Sequence, residues 1–214
     1  WHCGVCAIFR IRVERHGEIY RDSQVIYMGN HLSYLDIPAL ASLITYGSFV
    51  AKKDVAGWLV FGFLSKLQQT AFVSREREDA RAGAQALDVM LRAGKNLIIF
   101  PEGTSTEGVE VLPFKSSLFS IAMREDMERP MVQPFTIQLL SVDGAAPQGF
   151  DARSVYAWPR ELDMELHHHL WRFAKSKGAV LRVSFSAPIA AAKHESRKTL
   201  AKACHEAVCK EFKI

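Results

Sequence analysis

Two ionisable residues stand five apart in the stretch YMGNHLSYLDIPALAS: His31 and Asp36, with Asn30 in front of the histidine. A carboxylate that accepts from one imidazole nitrogen fixes the tautomer and makes the other nitrogen more basic, so that it can take a proton from a hydroxyl. That is the chemistry of a general base and its orienting group. In a continuous helix a spacing of five would turn the two side chains about 140° apart. They can meet only if the backbone turns between them. The alternative use of the same residues is structural, with Asp36 as the N-cap of the helix that follows and His31 as a loop residue. Further on, the apolar run NLIIF ends in Pro101-Glu102-Gly103-Thr104. Glu102 could accept from substrate hydroxyls, Gly103 would let backbone approach a ligand closely, and nearby N–H groups could hold an anion. A proline-glycine turn with a solvated glutamate is the plainer reading. Arg75, after the apolar run TAFV, offers a guanidinium suited to phosphate or carboxylate.

The elements around these residues set where they can sit. AIFRIRVERHG and YRDSQVIYMGN carry two short β-favouring runs separated by Gly17, which reads as a strand pair, so the histidine follows a strand. DIPALASLI begins with a polar residue and has Pro38 in its first turn, where a missing N–H does no harm; a helix is expected there, with Asp36 as its cap. GSFVAKKDV and TAFVSRERE predict strands, with the apolar patch WLVFGFL between them. Ala80, Ala84, Leu87 and Leu91 share one helical face up to Gly94, and NLIIF follows as a buried strand. SSLFSIAMR predicts a helix, MVQPFTIQLL a strand, ELDMELHHHLWRFAK an amphipathic helix, AVLRVSFS a strand, and 194–212 a closing helix. Strands alternating with helices predict an α/β layer architecture. With the sites at the C-terminal ends of strands, this is where α/β folds place ligands.

The bulk composition narrows the classes. The chain has 214 residues, 49% apolar and 23% charged, which suits one globular domain over 1–214. A net charge of +4 favours anionic partners, but there are no dense Lys/Arg blocks, so no nucleic-acid partner is expected. Cys3, Cys6, Cys204 and Cys209 do not form two matched ligand pairs, and reduced thiols are expected. Consecutive side chains of the HHH run at 167–169 are expected to fan apart on a helix. No metal is therefore assigned. No G-x-S-x-G elbow marks a serine hydrolase. No run is long and apolar enough to span a bilayer. Because the sequence opens at Trp1 and not Met, an upstream membrane-associating segment is expected to be absent from these residues.

Taken in order, Asn30-His31-x-x-x-x-Asp36, Phe72-Val73-Ser74-Arg75, Phe100-Pro101-Glu102-Gly103-Thr104-Ser105 and Val132-Gln133-Pro134 resemble the four motifs of the glycerolipid acyltransferase family, typified by 1-acyl-sn-glycerol-3-phosphate acyltransferase. The resemblance runs from about 25 to 140, and VAKKDVAGWLVFG is similar to the family's segment between its first two motifs. YAW and HLW also resemble a bacterial subgroup that includes lyso-ornithine lipid acyltransferases. The resemblance implies the family's mixed α/β sheet flanked by helices. It also implies that His31 deprotonates an acceptor hydroxyl, that Asp36 supports it, and that the acyl group comes directly from acyl-coenzyme A or acyl carrier protein, with no other cofactor. Arg75 would bind acceptor phosphate. Asn30, Lys52, Lys53, Glu102, Gly103, Thr104 and Ser105 complete the implied substrate-binding set. Ser105 stands where the family often has arginine. The expected acceptor is a lyso-lipid, first lysophosphatidic acid and second lyso-ornithine lipid. A peripheral, non-catalytic lipid-binding protein is the rival from another class. A membrane surface at the cytoplasmic face of the (inner) membrane is the expected partner; Trp58, Leu59, Val60, Phe61, Phe63 and Leu64 would either pack into the core, the more common fate of such a patch, or meet that surface beside Lys52, Lys53 and Lys66.

Overall fold

The structure is a computed structural model that describes residues 2–52, 71–73 and 87–212. Eight strands form one mixed sheet: β1 (Ile11–His16), β2 (Val25–Gly29), β3 (Gly47–Lys52), β4 (Ala71–Val73), β5 (Asn96–Ile99), β6 (Met131–Val142), β7 (Ala179–Phe185) and β8 (Ile189–Ala190). The strand order is β1-β7-β6-β2-β5-β3-β4, with β8 on β6. Pairing is parallel except where β6 meets β7 and β8.

β2 lies at the centre, and all five of its residues are buried. A parallel strand covered on both faces reads as a continuous apolar run, and VIYMG is one. Successive side chains enter opposite layers. Val25 and Tyr27 join Ile98, Phe135, Ile137, Leu40 and Phe173 on one face. Ile26 and Met28 join Leu97, Ile99, Val132, Phe119, Leu200 and Cys204 on the other. The first layer is covered by α1 (His2–Ile8), α2 (Asp36–Leu43) and α4 (Leu166–Lys175); the short α3 (Gly149–Arg153) precedes α4. The second layer is covered by α5 (Arg197–Glu211), a 3-10 helix (Ser116–Met123) and the helical residues 87–92.

Three expectations change. The two early strands exist but do not pair with each other: β1 lies against β7, and β7 and β6 separate it from β2. The apolar start of the first run is helix α1, not strand, with Cys6 packed into the core. The SSLFSIAM segment winds as a 3-10 helix. Strands appear as expected at GSFVAK, NLII, MVQPFTIQLL and AVLRVSF. α4 begins only at Leu166, and α5 carries a Ser196–Thr199 capping box.

Parallel pairing of β2 with β5, in the register Ile26↔Leu97 and Met28↔Ile99, delivers the chain after Gly29 and the chain after Ile99 to the same edge of the sheet. Asn30-His31 and Pro101-Glu102 therefore emerge side by side. On the other side of β2, Gly29 lets β6 approach closely, because a Cβ there would clash with the Phe135 carbonyl oxygen and ring.

Candidate active site

The backbone does turn between His31 and Asp36. Asp36 N–H donates to the Ser33 carbonyl at 2.9 Å, which folds the start of α2 back over the preceding loop. His31 Nδ1 and Asp36 Oδ2 are then 2.8 Å apart. The same carboxylate oxygen accepts from Leu32 N–H at 2.7 Å and Ser33 N–H at 2.9 Å, and Oδ1 accepts from the Tyr156 hydroxyl at 2.8 Å. Asp36 is fully buried, so these four hydrogen bonds replace the water it has lost. It is not the helix cap that its position suggested. Asp36 is the first helical residue, Leu35 holds the cap position without a side-chain bond, and the carboxylate points backwards to the loop and the imidazole.

His31 is held through both its ring and its backbone. Phe100 stacks on it with centroids 4.0 Å apart and planes 18° from parallel. The backbone N–H of His31 donates to Glu102 Oε2 at 2.7 Å, and its backbone carbonyl accepts from Thr106 N–H at 2.9 Å. The His31 side chain is 20% exposed while Asp36 is closed off, so the imidazole is the member of the pair that reaches solvent. With Nδ1 committed to Asp36, Nε2 is the nitrogen left for chemistry. It has no hydrogen-bond partner among the described residues.

Glu102 occupies a different place from the one expected. It is 3% exposed, and its oxygens accept from His31 N–H and, at 2.8 Å, from Leu112 N–H. Burial pushes its carboxyl up to about 7, against the opposing effect of the two backbone hydrogen bonds. It ties the loop after β5 to the loop after β2. Asn30 is likewise engaged with backbone. Its side chain is fully buried and pairs with both backbone groups of Ile137, at 2.9 and 2.7 Å, extending the β2–β6 contact past the last ladder residue. Gly103 sits at φ 71° with its N–H on the Phe100 carbonyl. The space a side chain would fill there is taken by Lys115, whose Nζ would be 2.3 Å from an added Cβ.

Thr104 is half-buried and makes a long 3.4 Å contact with the Ser105 carbonyl. Ser105 donates to the Trp158 carbonyl at 2.5 Å, so its hydroxyl is used in fixing the loop. Lys52 ends β3. Lys53, Arg75 and the Trp58–Leu64 patch with Lys66 lie outside the described residues. Sequence reasoning gives no place in the site to Lys115 or to Tyr156. Lys115, two residues past Pro113, could have been found as the first cation after the third motif. Tyr156 is 120 residues from Asp36; in the sequence it stands out only as part of YAW, and nothing local ties that motif to the carboxylate.

Of the three histidines, His169 parts from its neighbours as expected, whereas His167 and His168 stay together. His169 turns inward, fully buried, with Nδ1 at 2.9 Å from the Tyr34 hydroxyl and Nε2 near the Ser154 and Ala157 carbonyls. Burial pulls its basicity below the ordinary range, which suits a neutral ring with both nitrogens hydrogen-bonded. His167 and His168 lie with their rings 4.0 Å apart on the surface, and each offers an atom within 4.8 Å of Glu165. The four cysteines are free thiols, and burial raises the Cys6 thiol to about 11.

The fold and this site define a mixed α/β protein with an oriented histidine at the C-terminal edge of a parallel strand pair. A model of the acyltransferase family matches residues 10–138, which include both loops, and the chain belongs to that family. It is 34% identical over 94% of its length to a lyso-ornithine lipid O-acyltransferase of Rhizobium meliloti (strain 1021), spanning 70% of that protein. It is 30% identical over 86% of its length to a 1-acyl-sn-glycerol-3-phosphate acyltransferase of Neisseria meningitidis serogroup B, spanning 68% of it. Among solved structures, the 1-acyl-sn-glycerophosphate (LPA) acyltransferase PlsC of Thermotoga maritima shares the fold with a TM-score of 0.72 at 20% identity, over 99% of this chain and 75% of that one. The mixed sheet flanked by helices that the motifs implied is therefore the observed fold, and the chain is an acyltransferase.

Proposed function

We propose that the chain acylates the hydroxyl of a lyso-lipid from an acyl thioester, with His31 as general base and Asp36 as its orienting partner. The 2.8 Å contact between His31 Nδ1 and Asp36 Oδ2 carries the reading, because it leaves Nε2 to accept a proton. Nε2 takes the acceptor's hydroxyl proton, and the carboxylate supports the imidazolium that results. The hydroxyl oxygen forms a bond to the thioester carbonyl carbon. The tetrahedral intermediate then collapses with loss of the thiolate, which takes the proton back. Transfer is direct, with coenzyme A or acyl carrier protein as the thiol carrier, and it takes place at a membrane surface at the cytoplasmic face.

For the acceptor, lyso-ornithine lipid is the reading we favour over the lysophosphatidic acid that the motifs put first. Position 105 presents no cation, since Ser105 is turned to the Trp158 carbonyl. The relative with higher identity and wider coverage is a lyso-ornithine lipid O-acyltransferase. Lysophosphatidic acid remains the second reading, supported by the Neisseria relative and by an arginine at position 75. The test is to supply acyl-coenzyme A or acyl carrier protein with lyso-ornithine lipid, lysophosphatidic acid, lysophosphatidylcholine or glycerol 3-phosphate in detergent or vesicles, and to measure thiol release and lipid product. Faster acylation of lyso-ornithine lipid is expected. A lysophosphatidic acid lead would restore the second reading, and no product with any pair would favour a lipid-binding role.

A further inference from the structure

Residues 156–158 lie beyond the 10–138 stretch matched by the family, yet they are joined to both loops of the site. Trp158 N–H donates to the Leu32 carbonyl at 2.8 Å, and its carbonyl accepts from Ser105. Between them, in space, the Tyr156 hydroxyl reaches Asp36 Oδ1 at 2.8 Å. Tyr156 is fully buried, edge-on to Phe173 of α4 with centroids 5.6 Å apart. In such an aromatic cluster phenylalanine would fill the same space without a hydroxyl to desolvate. The hydroxyl is thus the part of this side chain that needs a reason.

Asp36 supplies it. Oδ2 is held by His31 and two backbone N–H groups, whereas Oδ1 has Tyr156 as its partner among the described residues. Resting on the reading of His31 as the base, we propose that Tyr156 is a positioning residue of the acyl transfer. Its hydroxyl fixes the second oxygen of Asp36, so the carboxylate cannot rotate away from Nδ1, and it draws negative charge off that carboxylate. Burial, and then the Asp36 charge, push the phenol well above its ordinary range, so it stays protonated and donates. The other titratable groups around the pair are Cys6 of α1, Tyr34 of the same loop, bonded to His169 of α4, and Glu102 after β5. Among the described residues, Tyr156 is the side chain other than His31 that hydrogen-bonds Asp36.

The sign of the effect follows. Without the hydroxyl, more of the Asp36 charge faces His31, the imidazolium is favoured, and the acidic limb of the pH profile moves to higher pH. Tyr156→Phe should lower kcat about 10- to 100-fold, the scale seen when metal-site ligands lose the outer partner that orients them. KM should stay within about twofold, since no substrate contact is removed. The acidic limb of kcat/KM should rise by about half a pH unit. 3-Fluorotyrosine at 156, nearly isosteric and a stronger donor, should fold normally and move the limb the other way. Tyr34→Phe removes another buried hydroxyl, one bonded to His169 and not to Asp36, and should lower the melting temperature without moving kcat or the limb.

The assay uses whichever thioester and lyso-lipid pair the wild type turns over. A second readout needs no substrate: the low-field proton resonance of the His31 Nδ1–H, identified by its loss in His31→Ala. Tyr156→Phe should shift it further downfield, and 3-fluorotyrosine upfield. An unmoved resonance in both variants overturns the proposal, as does a folded Tyr156→Phe with wild-type kcat and pH profile, or a Tyr34→Phe that reproduces the Tyr156→Phe changes. If no lyso-lipid is acylated, or His31→Ala retains activity, the functional reading fails while the resonance still decides whether Tyr156 controls Asp36.

Discussion

Glu102 Oε2 accepts the backbone N–H of His31 at 2.7 Å, across 71 residues of sequence. The contact exists because β2 and β5 are parallel neighbours that release their chains at one edge, and the glutamate's other oxygen takes the Leu112 N–H. Glu102→Gln keeps the shape but sets an NH₂ group against one of those N–H donors. A buried donor left unmatched costs about 1 to 3 kcal/mol. Glu102→Gln is therefore expected to lower kcat by displacing the His31 loop and to reduce the melting temperature, both measurable on one sample. A selective rise in acceptor KM with unchanged stability would instead indicate direct substrate contact.

The raised Glu102 carboxyl has a consequence for stability against pH. Its folded value of about 7 lies above its ordinary 4.5, so between these values the folded state binds more protons than the unfolded state. Its contribution is fully present below about 4.5 and is lost as pH rises through about 7. Wild type minus Glu102→Gln, compared by chemical denaturation at pH 5 to 8, should therefore show wild type losing ground as pH increases. A flat difference would mean that Glu102 is not perturbed.

His31→Ala should lower turnover about 10²- to 10⁴-fold while the protein stays folded, the range typical for loss of a general base. Rapid-quench mass spectrometry with the acyl donor alone should find no acylated protein. A kinetically competent adduct on Ser33, Ser105 or a cysteine would require a two-step scheme.

Asn30→Ala separates anchoring from binding. The substitution leaves the Ile137 N–H and carbonyl without their side-chain partner, costing about 1 to 3 kcal/mol per buried group. A clear loss of thermal stability is expected. A variant of unchanged stability and raised acceptor KM would return Asn30 to the substrate-binding set.

The parts of this molecule legible in its sequence are those with local causes. The VIYMG and NLII runs must be covered on both faces, and the turn residues after them mark where the chain leaves the sheet. What could not be read locally is pairing at a distance. Nothing in IRVERH says that it will lie against AVLRVSF, with β6 and β7 between it and β2. The same holds within the site. The spacing of His31 and Asp36 allowed their contact, but a glutamate in a proline-glycine turn looks identical whether it faces a substrate or two backbone N–H groups. Tyr156 is invisible beside Asp36 until α3 and the strand before it have folded.

Lys115 covers the loop after β5, with its backbone N–H on the Pro101 carbonyl and its side chain over Gly103. With Ser105 turned away, an anionic group approaching this loop would meet Lys115. Its ammonium is exposed, so removing it should leave the fold intact; a hydrogen bond to a charged partner contributes about 1.5 to 3 kcal/mol. Lys115→Ala is therefore expected to raise KM for an anionic acceptor by about tenfold or more, with a smaller effect on kcat. High salt should narrow the gap between wild type and variant, because screening weakens an exposed charge pair. The acceptor panel makes the result specific. If Lys115 meets the acceptor headgroup, the variant should discriminate less between lysophosphatidic acid and lyso-ornithine lipid than wild type does. Equal losses for both acceptors, together with a raised KM for the acyl donor, would place Lys115 on the donor side of the site.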